Sequence, residues 1–211
     1  MNSGMSPQWL WPVAFYLVGS IPTGYLLGKS RGLDIRQHGS GNIGATNVWR
    51  VMGRGFGLLA FASDFLKGFL LLFLVRTFCI PDDGSWTVQT LLVVCGLAAI
   101  IGHNYTPWLG FKGGKGIATS AGVLAALMPP VLAVSLSLWI IATLATRTVS
   151  IGSLLAAASL PPAAFYFYPG QWVYIGLAFL AGGLAIYRHT SNIKRLLAGT
   201  ESRFEFGKKK S

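Results

Sequence analysis

Acidic residues are scarce in this chain of 211 residues: six Asp and Glu stand against 17 Lys and Arg. Oxygen-ligated Mg²⁺ or Ca²⁺ normally takes one or more carboxylates, so a metal-assisted mechanism is disfavoured, and with it two-metal phosphatases and CDP-alcohol transferases. Cysteine is scarcer still. Cys79 and Cys95 stand in or beside apolar runs without CxxC or metal spacing, which reads as buried small apolar residues. Charge as a whole is missing from long tracts. Residues 1–28, 84–111, 116–146 and 148–187 contain no Asp, Glu, Lys or Arg, and only 11% of the chain is charged. A soluble domain usually carries about 25%. There is no room for a soluble domain of any size, no GxSxG elbow and no repeat.

What is there is apolar: 53% of residues are hydrophobic. A crossing takes about 20 apolar residues, so this is an all-α polytopic membrane chain, expected to be one domain over 1–211. The opening MNSGMSPQWLWPV has neither a basic n-region nor a small-residue cleavage site, so it reads as a retained span. Helices are predicted over 8–29, 55–78, 86–103, 117–129, 131–146, 150–168 and 171–188. Pro129-Pro130 divides a charge-free run, and one long kinked helix is the rival to two helices of roughly 20–24 Å. Basic-residue parity favours two. With seven spans and the N-terminus outside, 15 of the 17 basic residues face the cytoplasm, while Arg76 lies outside near Asp82 and Asp83 and Lys67 within a span. With six, Arg147 and the tail GKKKS would face outward. The net charge of +11 then reflects the positive-inside rule and anionic headgroups, not nucleic acid.

This topology gathers four polar segments on one membrane face. In GSGNIGATNVWR (39–50), Gly39, Gly41 and Gly44 permit positive φ and a concavity of consecutive N–H groups. Ser40, Asn42, Thr46 and Asn47 offer short hydrogen-bonding groups, and Arg50 a fork suited to phosphate. A tight re-entrant turn is the plainer alternative. FKGGKG (111–116) sets Lys112 and Lys115 around Gly113 and Gly114, which suits a phosphate. It is not a Walker A loop, and the plainer alternative is a lysine pair obeying the positive-inside rule. RHTSNIKR (188–195) places His189 and Asn192 three apart, on one side if the last helix continues. His189 can exchange a proton near neutral pH, or simply contact headgroups. An interfacial helix is expected beyond it. TRTVS (146–150) is the fourth segment. His38 and His103 read as structural, and Asp64 with Lys67, at i and i+3 inside a span, as an internal ion pair.

A basic, glycine-rich face opening on lipid suits a phosphate beside something greasy. GSIPTGYLLGK, GSGNIGATNVWRVMG, GHNYTPWLGFKGGKGIAT and RHTSNIKRLLAGTE, in that order, resemble the bacterial PlsY family, from about Gly19 to Glu201. These are membrane enzymes that use acyl-phosphate to acylate glycerol-3-phosphate. The resemblance implies seven helices, no metal or cofactor, and transfer of a fatty acyl group to the 1-hydroxyl of glycerol-3-phosphate. Lysophosphatidic acid and phosphate would be the products, in the first step of phospholipid synthesis at the bacterial inner membrane, with the site facing the cytoplasm. Ser40 and Arg50 correspond to the family's first-motif serine and arginine. Lys112, Gly113, Gly114 and Lys115 match its phosphate loop, His189 and Asn192 its final motif, and Ser150 its serine after the fifth span. The partners implied are the two substrates and membrane lipids, with no nucleic acid, and a monomer is expected. The HxxxxD signature of another acyltransferase class is absent. His189 or a substrate phosphate could be the base, and an acyl-Ser40 intermediate is a third route. An organophosphate carrier, or a scaffold that binds lipid headgroups, is the competing class.

Overall fold

The computed structural model describes residues 10–79 and 85–203, so the expectations for Asp82, Asp83 and the tail from residue 204 lie outside it. Among the described residues the chain is all helix: α1 (Trp11–Gly19), α2 (Thr23–Lys29), α3 (Ala45–Met52), α4 (Arg54–Leu74), α5 (Trp86–Asn104), α6 (Ile117–Leu127), α7 (Pro129–Thr146), α8 (Val149–Phe167), α9 (Trp172–Arg188) and α10 (Thr190–Leu197). It divides at Pro129–Pro130 into two compact units. Four stretches are long and apolar enough to cross a membrane: α4 with its continuation to Cys79, α5 with the turn to Leu109, α7 and α8. α6 and α9 are shorter apolar helices. Large apolar side chains such as Leu58, Phe61, Leu66 and Phe73 on α4 point outward, the surface of a protein whose solvent is lipid.

Two expectations need correction. The helix predicted over 8–29 is broken at Ser20–Pro22, because Pro22 offers no N–H to continue the ladder and restricts Ile21 before it. The carbonyls freed there are used: Ser20 O accepts from Thr106 Oγ1 at 2.6 Å, and Ile21 O accepts from Lys67 Nζ. The second correction is α3, which occupies the latter half of a segment read as backbone-rich loop. The Pro129 region does form two helices, separated at Met128.

In the first unit, helices meet backbone to backbone. α1 crosses α5 where Gly19 lies against Ala99 and Gly102 against Tyr16. α4 crosses α6 where Gly68 lies against Thr119 and Gly122 against Phe65, so close that a Cβ on either glycine would overlap a carbonyl oxygen. Beneath the first polar loop, Ile35, Ile43, Val48 and Ala60 form a buried cluster sealed by Tyr25, Phe56 and Leu109. In the second unit, Gly182 lets α9 approach Ala157 on α8, and Trp139 on α7 donates through its indole N–H to Ser153 Oγ of α8.

Candidate functional site

The first loop is organised by one buried side chain. Asn47, in the first turn of α3 and 2% exposed, accepts from the Ser40 N–H at 2.8 Å. Its amide donates to His38 O at 3.0 Å and Asn42 O at 2.9 Å, with Ile35 O at 3.3 Å. Gly39 and Gly41 have φ of 61° and 71°, so this turn requires glycine. Gly44 does not, with φ of −73°. Its N–H donates to Asn42 Oδ1 at 2.8 Å, and Gly41 N–H donates to His38 O. The expected concavity therefore does not form from Ser40, Gly41 and Gly44, because their N–H groups are engaged in folding the loop. What the loop presents instead is side chains. Ser40 and Arg50 are exposed, and Thr46 lies one turn before Arg50 on the same face of α3.

Asp34, the loop's one acid, is taken by a neighbour. Arg36 grips it with Nε–Oδ1 at 3.0 Å and Nη2–Oδ2 at 2.7 Å, and stacks its guanidinium 4.8 Å from the Tyr25 ring. Those hydrogen bonds hold the Asp34 carboxyl at about 2.

The second loop is stitched to the end of α5. Gly113 N–H donates to Asn104 O at 3.1 Å and Gly114 N–H to His103 O at 3.0 Å, while Phe111 and Lys112 N–H groups close turns on Thr106 and Leu109. Both glycines are needed for this seat: a Cβ on Gly113 would overlap His103 O, and one on Gly114 the His103 imidazole. The glycine pair therefore serves packing as well as any ligand. Gly116, with φ of 80°, begins α6 without a side-chain cap, leaving the helix N-terminus to attract an anion beside Lys115. Lys112 is exposed and Lys115 half-buried.

In the second unit, α9 ends and α10 restarts at His189, so the last motif sits on a corner instead of a continuous helix. His189 is 3% exposed, and its Nδ1 lies 2.7 Å from Ala185 O. A carbonyl only accepts, so Nδ1 carries the hydrogen. Asn192 and Ser150 meet through a residue that sequence reasoning had left aside. Glu201 Oε1 accepts from Asn192 Nδ2 at 2.6 Å and Ser150 Oγ at 2.8 Å, and Oε2 accepts from Arg195 Nε at 2.7 Å. Burial pushes this carboxyl up, but the hydrogen bonds from Asn192, Arg195 and Ser150 outweigh it and hold it below the usual range. Its scarcity was the available signal, since few acids accompany the motifs. A cavity of about 450 Å³ opens beside it, lined by Thr146, Arg147, Thr148, Ile151, Leu196 and Arg203. Beyond His189, α10 turns Leu197 outward, 86% exposed.

Residues 9–199 match the model of a family described as glycerol-3-phosphate acyltransferase. A glycerol-3-phosphate acyltransferase of Desulforudis audaxviator is 45% identical over 92% of this chain and 93% of its own. One of Aquifex aeolicus is also 45% identical, over 90% and 95%. Among solved structures, PlsY (YgiH), an integral membrane glycerol 3-phosphate acyltransferase, is similar in its glycerol 3-phosphate form with a TM-score of 0.84 and 40% identity, over 95% of this chain and 96% of that one. Its lysophosphatidic acid form has a TM-score of 0.82 and 39% identity.

Proposed function

Because the chain belongs to the glycerol-3-phosphate acyltransferase family, we propose that it moves a fatty acyl group from acyl-phosphate to the 1-hydroxyl of sn-glycerol-3-phosphate. The hydroxyl oxygen bonds to the acyl carbon, the acyl–phosphate C–O bond breaks, and 1-acyl-glycerol-3-phosphate and inorganic phosphate leave. The observation that carries this reading is the charge balance of the motifs. Each of the three described acids is matched by a cation: Asp34 by Arg36, Asp64 by Lys67 and Glu201 by Arg195. Arg50 and Lys112 stand exposed with no ion pair among the described residues. Cations left over beside glycine-rich backbone suit phosphate oxygens, which a guanidinium grips in pairs.

In this account Arg50, Lys112, Lys115 and the N-terminus of α6 hold phosphate groups. Thr46, with Asn42, lines the same loop, while Asn47 shapes it. Ser40 Oγ–H donates to the oxyanion that develops on the acyl carbonyl, a contact worth roughly 3–4 kcal/mol in comparable sites. His189 Nε2 takes the hydroxyl proton, the role its Nδ1 tether prepares. Asn192 and Ser150 are held by Glu201. Acyl-phosphate carries its own leaving group, so the protein mainly juxtaposes reactants, which supplies up to roughly 7–11 kcal/mol. No metal or cofactor is required. The topology that fits is seven spans of a bacterial inner membrane, the N-terminus outside and the motifs and C-terminus in the cytoplasm, because it places 15 of 17 basic residues inside. The working unit is a monomer.

A stoichiometric assay tests the reaction. Purified protein given palmitoyl-phosphate and glycerol-3-phosphate should form lysophosphatidic acid and phosphate in equal amounts, with His189→Gln reducing kcat below about a tenth. A raised KM with kcat retained in His189→Gln would remove the histidine from the proton step.

A further inference from the structure

The functional reading leaves unexplained a buried polar chain in the first unit. Asp64 and Lys67 face inward from the apolar helix α4, 2% and 8% exposed, with Lys67 Nζ 2.6 Å from Asp64 Oδ1. Such a pair in a membrane helix is costly, and persists where something is gained from it. The same Asp64 oxygen lies 3.6 Å from Nδ1 of His103, itself 5% exposed at the end of α5. Lys67 also donates to Ile21 O, in the break between α1 and α2. The last turn of α5 is thereby tied to α4 and to the α1–α2 corner. Thr106 and Trp108, which follow it, bond to Ser20 in that corner through its carbonyl and hydroxyl.

The far side of His103 is the glycine–lysine loop. Its carbonyl accepts the Gly114 N–H at 3.0 Å, the next carbonyl accepts the Gly113 N–H at 3.1 Å, and the imidazole Nε2 edge fills the space where a Gly114 side chain would be. The contacts run without a gap from the Ile21 carbonyl through Lys67, Asp64 and His103 to the loop bearing Lys112 and Lys115. We propose that Asp64, Lys67 and His103 are positioning residues, a buried relay that fixes the 111–116 loop in its phosphate-holding shape while touching no substrate themselves. The proposal rests on the phosphate role assigned above to that loop. It concerns His103, which the sequence alone marks only as a helix-end residue, and gives the intramembrane ion pair a purpose beyond joining helices.

The test uses the full-length protein in detergent, comparing wild type with His103→Ala, His103→Gln, Gly114→Ala and His103→Ala/Gly114→Ala. Amide hydrogen exchange over 111–116 reads the loop directly, and KM and kcat read its consequence. In His103→Ala, exchange at the loop should quicken about tenfold or more. KM for glycerol-3-phosphate should rise about tenfold with kcat within about threefold. Glutamine keeps a donor for Asp64 and should restore most of both. Gly114→Ala should raise KM, because its methyl collides with the imidazole, and removing that imidazole should leave the double variant no worse than His103→Ala alone, a coupling that independent sites lack. The inference is overturned if loop exchange is unchanged in His103→Ala, if exchange quickens equally across α1, α4 and α5 with KM constant, or if the two substitutions add. Wild-type protein without turnover would instead refute the acyltransfer reading, while the exchange comparison still decides the relay.

Discussion

Replacing Asn47 by alanine removes the centre of the first loop without touching an exposed group. Three hydrogen bonds of 2.8–3.0 Å are lost: one accepted from Ser40 N–H and two donated to His38 O and Asn42 O. At a net of about 1 kcal/mol each they total about 3 kcal/mol, and the half-exposed loop recovers some of this from water. A loss of about 2–3 kcal/mol corresponds to roughly 30- to 150-fold in the ratio of ordered to disordered loop. With Ser40 and Arg50 in the roles proposed above, acting from that ordered form, kcat/KM for acyl transfer should fall by up to roughly 30- to 150-fold. Asn47→Asp separates scaffolding from substrate contact. Its carboxylate still accepts from Ser40 N–H but faces the carbonyls of Ile35, His38 and Asn42 with no hydrogen to give. It should therefore be at least as damaging as alanine. The assay is steady-state release of phosphate from palmitoyl-phosphate. An alanine variant within about threefold of wild type, or an aspartate variant milder than alanine, would refute the reasoning.

Glu201→Gln keeps one oxygen to accept from Asn192 and Ser150 but replaces the oxygen that accepts from Arg195 with an NH2 donor, lowering thermal stability by several degrees for the roughly 1–3 kcal/mol at stake; differential scanning fluorimetry in detergent reads it. The same carboxyl is held below its ordinary 4.5, so its contribution is complete above that pH and fades as the pH falls through the lower folded value. Wild-type stability should drop on acidification below about 4.5 by more than that of Glu201→Gln. Gly122→Val would drive a side chain into the Phe65 carbonyl where α6 crosses α4. It should abolish a folded, monodisperse peak in size-exclusion chromatography, whereas the same change at Gly55, with open space around it, should not.

Helix positions were legible because charge-free runs and polar breaks alternate in this chain. α8 and α9 lie within a residue of their expected bounds. The break at Ser20–Pro22 was announced by proline, but the run continues apolar on both sides and hides it. α3 was obscured because glycines before it and Thr46, Asn47 and Val48 within it are weak helix formers. Packing over Ile35, Val48 and Ala60 overrides that preference. The motifs were found by their residue types, yet what each residue does locally was not. Asn47 looked like a ligand contact and is engaged within its own loop. Gly113 and Gly114 looked made for phosphate and are also shaped to His103. Such meetings join residues that are distant in sequence, as Ser150 and Glu201 are, and no local pattern encodes them.

The central claim is tested most directly by offering the purified protein two acyl donors with glycerol-3-phosphate. Palmitoyl-phosphate and palmitoyl-CoA are supplied in parallel, with EDTA present, to wild type and to Arg50→Ala. The account predicts lysophosphatidic acid from palmitoyl-phosphate alone, undiminished by EDTA and lost in Arg50→Ala. Product from palmitoyl-CoA, or a reaction that EDTA stops, would contradict it.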